Sequence, residues 1–310
     1  MIDVSIIIVN YNGLDLLKKC LLSLYKFSEG FSFELIIVDN HSTEGNLNEV
    51  VSEFNDVIVI KNDVNLGFAK ANNIGLNIAN GKYVLFLNND VYLTENSIKK
   101  VLDLAETQPL KTFIGCRLLN PDGSTQISTA SYPSGLNLFA SNFFLYRIFP
   151  SSPNFNKYYL QKKEITASTH VDYVIGAFLF GAREVLTNLN GFDERFFFYA
   201  EDIDLCFRLK LIGGKTLFFP YTSVVHIGGA SVKTKHWFKF KNKAVSELQF
   251  FQKHKSGFEF YFGICSHFLG NIFRIPITLL IGIVKLEKDL LLRSFYHLRL
   301  LLVYPKNLFK

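Results

Sequence analysis

The chain has 310 residues, 49% of them hydrophobic, which is enough to bury one large α/β domain with an appendage or two modest domains. Its formal charge of +6 is local: seven lysines lie between Lys233 and Lys255, with Glu247 the only acid among them. No RNA- or DNA-reading motif accompanies that cluster, so nucleic acid is excluded as the expected partner, and the apolar tail behind it points to a membrane surface.

Asp3 stands where a secretory signal would need basic residues. The first apolar run, Val4 to Val9, is therefore expected to be a buried strand of a protein that stays in the cytoplasm. Leu14, Leu17, Leu21 and Leu24 share one face of a helix over 13–24. Strands are expected at 34–38, 57–60 and 83–87, and a helix at 67–79. This alternation is the pattern of βαβ units and a mostly parallel sheet. Three of the strands run into polar residues at their carboxyl ends, at Asn10, at Asp39-Asn40 and at Asn88-Asn89-Asp90. That edge is where open α/β sheets bind ligands.

From Thr112 to Lys163 the pattern loosens around Asn120-Pro121-Asp122-Gly123 and Tyr132-Pro133-Ser134-Gly135, which predicts a long excursion over the active-site edge. Order returns with the apolar stretch 174–180, a helix over 202–211 stopped by Gly213-Gly214, and two strands at 216–219 and 223–225. Cys20, Cys116, Cys206 and Cys265 lack the paired spacing of zinc or redox sites and are expected to be reduced, mostly buried thiols.

Three features carry chemistry. Asp90, at the end of an apolar strand, suits either a turn cap or a ligand for a hard divalent cation, which needs only one or two protein carboxylates. Asp202, in Tyr199-Ala200-Glu201-Asp202, suits either a helix cap or a general base. Asp204 is expected to form a surface pair with Arg208 and is left out of the chemistry. His226 closes a strand before Gly228-Gly229, where it can face a metal held by Asp90; the other six histidines are expected to be structural.

The stretches VSIIIVNYNG, ELIIVDNHS, NLGFAKANNIGL, GKYVLFLNND, GAFLFGAREV, GFDERFFFYAEDIDLCFRLKLIGGK and VVHIGGAS, in this order over residues 4–231, resemble family 2 glycosyltransferases of the GT-A fold, in the bacterial rhamnosyltransferase-like branch. The resemblance implies a Rossmann-like, mostly parallel α/β sheet flanked by helices, with a C-terminal apolar helical extension. It implies inverting transfer of a sugar, rhamnose first among the trials, from a dTDP- or UDP-sugar to a hydroxyl of a glycan, lipid-linked, in cell-surface polysaccharide synthesis. Asp39 would bond the pyrimidine base, with Asn10 and Tyr11 lining that pocket and Asn65, Gly67 and Asn72 near the nucleotide and diphosphate. The glycine is expected to let backbone approach phosphate at a helix N-terminus. Asn89 and Asp90 would face the donor. Asp90 and His226 would hold a divalent cation, magnesium or manganese, although Asn-Asn-Asp replaces the usual aspartate-first motif. Asp202 would be the base, Glu201 its acceptor-side neighbour, and Gly176-Ala177 the small pair beneath the sugar.

Domains are expected at 1–235, catalytic, and 236–310, basic and then apolar, for docking on the inner face of the membrane. Arg274 and Pro276 interrupt the apolar runs 260–273 and 275–284, which favours two short interfacial or re-entrant segments over one transmembrane helix. A helical pair packed on protein is the competing expectation. A nicotinamide-dependent oxidoreductase is disfavoured because Asn10-Tyr11-Asn12-Gly13 lacks the glycine-rich fingerprint. The remaining alternative is a catalytically silent glycan- or nucleotide-binding scaffold.

Overall fold

The computed structural model describes residues 2–152, 154–155, 165–228 and 236–308, the last five of these by backbone alone. Lys233, Lys235, Gly229 and the end of the expected 112–163 excursion lie outside the described residues. The chain divides into two compact units. The first takes in residues 2–130, 165–197 and 201–228, and the second residues 131–155, 198–200 and 236–308.

The strands of the first unit are β1 (Val4–Asn10), β2 (Phe33–Asp39), β3 (Val57–Lys61), β4 (Tyr83–Asn88), β5 (Val91–Leu93), β6 (Thr112–Leu119), β7 (Thr129–Ala130), β8 (Thr169–Val171), β9 (Tyr173–Val174), β10 (Phe178–Ala182) and β11 (Lys215–His226). The main sheet runs β3-β2-β1-β4-β10-β6-β11-β5, with β8 added on β11, while β7 and β9 pair separately. β1, β2, β3 and β4 are parallel. β10 runs antiparallel to both β4 and β6, and β6 is parallel to β11. The ends of β1, β2, β4 and β11 and the start of β10 therefore fall on one edge.

Burial explains why these runs are central. Ile6, Ile7, Ile8, Ile36, Ile37, Leu85 and Phe86 have no exposed surface. Each contributes about 1.5–3 kcal/mol by leaving water. Helices Leu14–Phe27, Phe68–Ile78 and Ser97–Thr107 turn their apolar faces inward, burying Leu17, Leu21 and Leu24 in the first and Ala69 and Leu76 in the second.

Three expectations for this unit are corrected. The excursion does not begin at Thr112, because 112–119 is a buried interior strand. Gly115 breaks its apolar run, and it is small because a Cβ there would lie 2.6 Å from Val174. The two strands expected at 216–219 and 223–225 are one strand, β11, with an irregularity between Phe219 and Ser223. Glu95 holds that irregularity, accepting from Thr222 Oγ1 at 2.7 Å and Ser223 N at 3.1 Å. The Asp204–Arg208 pair is buried, since Asp204 has no exposed surface. Arg208 Nε meets Asp204 Oδ2 at 2.7 Å, and its other nitrogens donate to the carbonyls of Leu189 and Gly191.

The second unit is helical, with Gly135–Asn142, Leu145–Ile148, His236–His254, Gly257–Lys285 and Lys288–Leu308. Ala244, Leu248 and Leu300 form a small core with Trp237, Phe240, Ile264 and Leu301. The two short segments expected around Arg274 and Pro276 are a single 29-residue helix. Arg274 is accommodated because its guanidinium donates to Ser141 O at 2.6 Å and Asn142 O at 3.1 Å, at the carbonyl end of the neighbouring helix. The helix also continues through Pro276, and near it Thr278 Oγ1 donates to Arg274 O and Ser294 Oγ to Ile275 O.

Removing one partner of the buried pair tests the packing of the first unit. Asp204→Ala leaves Arg208 without its counter-charge and is expected to cost about 3–5 kcal/mol, read as a lower urea midpoint. An unchanged midpoint would mean that the two backbone carbonyls suffice.

Candidate active site

A chain of side-chain hydrogen bonds ties the ends of β1, β2 and β4 together. Asn89 Nδ2 donates to Asn10 Oδ1 at 2.8 Å, and Asn10 Nδ2 donates to Asp39 Oδ1 at 3.1 Å and to Ser42 Oγ at 3.1 Å. Ser42 returns its hydroxyl to Asp39 Oδ1 at 2.6 Å and its backbone N–H to Asp39 Oδ2 at 3.1 Å. Asp39 is thus a buried carboxylate pinned in one orientation, with Tyr11 half-buried on the same edge.

Asn40, the next residue along, is a second hub. Its amide donates to Asn65 Oδ1 and to Gly67 O, while its oxygen accepts from Asn62 Nδ2 and Leu66 N. Asn65 Oδ1 also accepts Gly67 N at 2.9 Å and so closes the turn into the Phe68–Ile78 helix.

Asp90 sits in the tight turn between β4 and β5. The pairing of Val91 with His226 brings β5 alongside the end of β11. His226 Nε2 lies 3.3 Å from Asp90 Oδ1, with both side chains largely buried. Gln126 settles which ring nitrogen carries the proton. Its Nε2 donates to His226 O and to Asn120 Oδ1, so its Oε1 is left facing His226 Nδ1 at 2.9 Å. Nδ1 then donates to Gln126, and Nε2 is the ring nitrogen that faces the Asp90 carboxylate. Two electron-rich atoms that close need a proton or a cation between them, and an imidazole nitrogen with a carboxylate oxygen is a donor set that suits a divalent ion. Among the described residues no third His, Cys, Asp or Glu joins them.

Asp202 lies in the first turn of Glu201–Leu211. Its Oδ2 accepts the Gly176 N–H at 2.8 Å and its Oδ1 the Ile203 N–H at 2.8 Å. Part of its surface stays open, yet withdrawal of the carboxyl from water raises its pKa, against those lowering bonds. A Cβ on Gly176 would come within 3.2 Å of Asp202 Cβ, so the small residue makes room for the carboxylate. Ala177, buried next to it, accepts the Asn88 N–H at 3.1 Å. This path joins Asp202 to the strand end that carries Asp90. The backbone entering the helix is strained, with Tyr199 and Ala200 both at positive φ, 74° and 65°. Glu201 is buried.

A model of the family described as glycosyl transferase family 2 matches residues 5–186. The chain belongs to this family. It is similar to N-acetylglucosaminyl-diphospho-decaprenol L-rhamnosyltransferase of Mycobacterium tuberculosis, with 29% identity over 242 residues, covering 73% of this chain and 76% of the relative. Rhamnosyltransferase WbbL of Escherichia coli K12 is 28% identical over 231 residues, covering 72% of this chain and 83% of the relative. Among solved structures, the mannosyltransferase PcManGT of Pyrobaculum calidifontis, in complex with GDP-Man and Mn2+, superposes at TM-score 0.57 and 17% identity, covering 98% of this chain and 86% of that one. GalNAc-T7 with UDP, GalNAc and Mn2+ gives 0.55 at 18% identity, covering 73% of this chain and 43% of that one. These structural likenesses establish the GT-A fold of this glycosyltransferase.

Two of the residues singled out from the glycosyltransferase resemblance are closely engaged by protein groups. Gly67, at φ 86°, is small because a Cβ would lie 2.7 Å from Phe197 O, and that carbonyl also caps the helix by accepting Phe68 N at 2.9 Å. A Cβ at this position would thus meet protein backbone. Asn72 is buried and donates to Phe68 O within its own helix, so it does not present its amide to an open face. Asn10, fully buried with both amide ends engaged, orients Asp39. Ser42 and Gln126 carry parts of the site that no sequence motif singled out.

Gln126→Leu removes the group that fixes the His226 tautomer. Mn2+ affinity in the presence of UDP is expected to fall about 10–100-fold by calorimetry. Nitrogen NMR of the imidazole should also show loss of the single Nδ1–H form; an unshifted tautomer would show that Gln126 does not set it.

Proposed function

We propose that this glycosyltransferase moves a sugar, with inversion, from a dTDP- or UDP-sugar to a hydroxyl of a lipid-linked glycan at the cytoplasmic face of the membrane, as a step in cell-surface polysaccharide synthesis. Catalysis is assigned to residues 1–235 and membrane attachment to 236–310. The observation that carries the reading is the single sheet edge at which Asp39, Asp90, His226 and the Gly176 contact of Asp202 all lie.

The roles follow from charge and open lone pairs. Asp39 Oδ2 has one protein donor and can accept an N–H from a pyrimidine base. Tyr11 would flank that base, and Asn65 and Gly67 would shape the loop around the nucleotide. Asn89 and Gly176-Ala177 would border the donor sugar. Asp90 and His226 would hold Mg2+ or Mn2+, which when bound neutralises charge on the departing diphosphate. Two of the solved relatives contain Mn2+ in their structures, which supports the same assignment here.

Asp202 takes the proton of the acceptor hydroxyl as its oxygen attacks the anomeric carbon. The bond from that carbon to the diphosphate oxygen breaks on the opposite face, and the nucleoside diphosphate leaves with the bonding pair. Glu201 would stand on the acceptor side. A rhamnosyl donor is the first choice because both curated relatives named above are rhamnosyltransferases, and a lipid-linked acceptor because one of them is named for a diphospho-decaprenol.

A panel of nucleotide sugars, followed by nucleoside diphosphate release with and without Mg2+ or Mn2+, tests this directly. Turnover should require the cation, and Asp202→Asn should lower it about 10²–10⁴-fold. Nucleotide binding without turnover across the panel would favour a silent scaffold. A base works only when deprotonated, so kcat/KM should fall as pH drops through the raised Asp202 pKa. That acid limb should lie above the ordinary aspartate value of about 3.9 and vanish in Asp202→Asn. A limb unchanged in the variant would assign the base elsewhere.

A further inference from the structure

The Gly257–Lys285 helix has its polarity inside out. The residues it buries are Gly263, Ser266, His267, Gly270, Asn271 and Gly282. The residues it exposes are large and apolar: Phe258 is 80% exposed, Tyr261 68%, Leu269 53% and Leu280 62%. A helix of a water-soluble unit does the reverse.

The inward face is packed and hydrogen-bonded. Asn142 Nδ2 donates to Ser266 O at 3.1 Å, and Asn271 Oδ1 lies 2.6 Å from His297 Nδ1. Arg274 reaches Ser141 O and Asn142 O. A Cβ on Gly270 would sit 2.4 Å from Asn142, and one on Gly263 2.2 Å from Phe251, so the helix presses closely on its neighbours at small residues. Small contacts and interhelical polar bonds are how helices pack when the surrounding solvent is itself apolar.

The outward face recurs at helical spacing through Phe258, Tyr261, Cys265, Leu269, Ile272 and Leu280, with no charged residue between Phe260 and Phe273. At 1.5 Å per residue the 29-residue helix is about 43 Å long, and an apolar surface of that length is far larger than scattered exposed side chains. Charges gather at its two ends: Lys253 and Lys255 precede it, and at the other end Lys285 closes it before Glu287, Lys288 and Asp289. Tip-first insertion would carry Lys285, Glu287, Lys288 and Asp289 into hydrocarbon, at about 2.5–3.5 kcal/mol for each charge at the centre.

We propose that this stripe is a lipid-facing surface, with the helix lying along the interface of an anionic bilayer, its apolar side chains in the acyl region and the lysines that precede it on acidic headgroups. The inference deepens the membrane placement proposed above and does not depend on the sugar chemistry. The partner is a lipid surface rather than a second copy of the chain because the segment leading into the stripe, from Lys239 to Lys255, carries five lysines against the single acid Glu247, a charge that complements acidic headgroups and would repel its own copy.

Cys265 gives a direct readout. It is exposed on the stripe, whereas Cys20, Cys116 and Cys206 are buried and their thiols are pushed up by burial, so a thiol-reactive, polarity-sensitive dye should label Cys265 alone. On vesicles containing phosphatidylglycerol the labelled full-length protein should show a blue-shifted emission that brominated acyl chains quench. Binding should be at least tenfold weaker on pure phosphatidylcholine. The paired change Leu269→Glu and Leu280→Glu should abolish the shift while UDP and Mn2+ binding stays at the parent level, which separates loss of this surface from misfolding or from a wrong active-site assignment. No shift on any vesicle, equal binding to neutral and anionic vesicles, or a dimer in buffer that the paired change converts to monomer would overturn the proposal.

Discussion

A carboxylate buried at a strand end has to be hydrogen-bonded, and in this protein that requirement organises the candidate site. Asp39 is satisfied by Asn10 from β1 and Ser42 from its own loop, and Asn10 is satisfied in turn by Asn89 beyond β4. Leaving such a group unpaired would cost about 1–3 kcal/mol or more, so the three strand ends hold one another in register. The turn that follows Asn89 then delivers Asp90 to His226, and Gln126 turns the imidazole so that Nε2 faces the carboxylate. The reversal of β10 matters equally. Because it runs against β4 and β6, Gly176 and Ala177, which lead into it, arrive at the same edge, and Gly176 holds Asp202 there.

Much of this was legible in the sequence where a single physical rule dominates. Unbroken apolar runs ending in polar residues located β1, β2 and β4 and the ligand-binding edge, because strands buried on both faces need such runs. β6 was not legible: Gly115 and Arg117 break its apolar run, and its burial comes from tertiary neighbours. The continuity of β11 was hidden by Pro220 and depends on Glu95, far away in sequence. Asp204 and Arg208 have the spacing of an exposed helical pair, and only the turn at Leu189 and Gly191 reveals that the pair is enclosed. Gln126 sits in a loop with no periodicity, so nothing short of coordinates connects it to His226. Gly67 was marked as a place that needs a residue without a side chain, and Phe197 is the protein neighbour that a Cβ would meet.

The helical unit carries a different lesson about hydropathy. Composition identified the apolar tail, yet Arg274 and Pro276 argued for a break that is absent; carbonyls of the neighbouring helix take up the Arg274 guanidinium, and the helix continues through the proline. An apolar helix of this length is compatible with a soluble core, a span or an interfacial anchor. What distinguishes them is which face is buried, and here the buried face is the polar one.

The central claim is that Asp39 and Asp90 grip two ends of one pyrimidine nucleoside diphosphate. Titrating UDP and dTDP into the parent, Asp39→Ala and Asp90→Ala proteins, each with and without Mn2+, separates the two grips. Asp39→Ala should weaken binding to a similar degree in both conditions, whereas Asp90→Ala should bind metal-free nucleotide as the parent does and gain nothing from Mn2+. If both variants match the parent in both conditions, the two carboxylates do not share a ligand and the account fails.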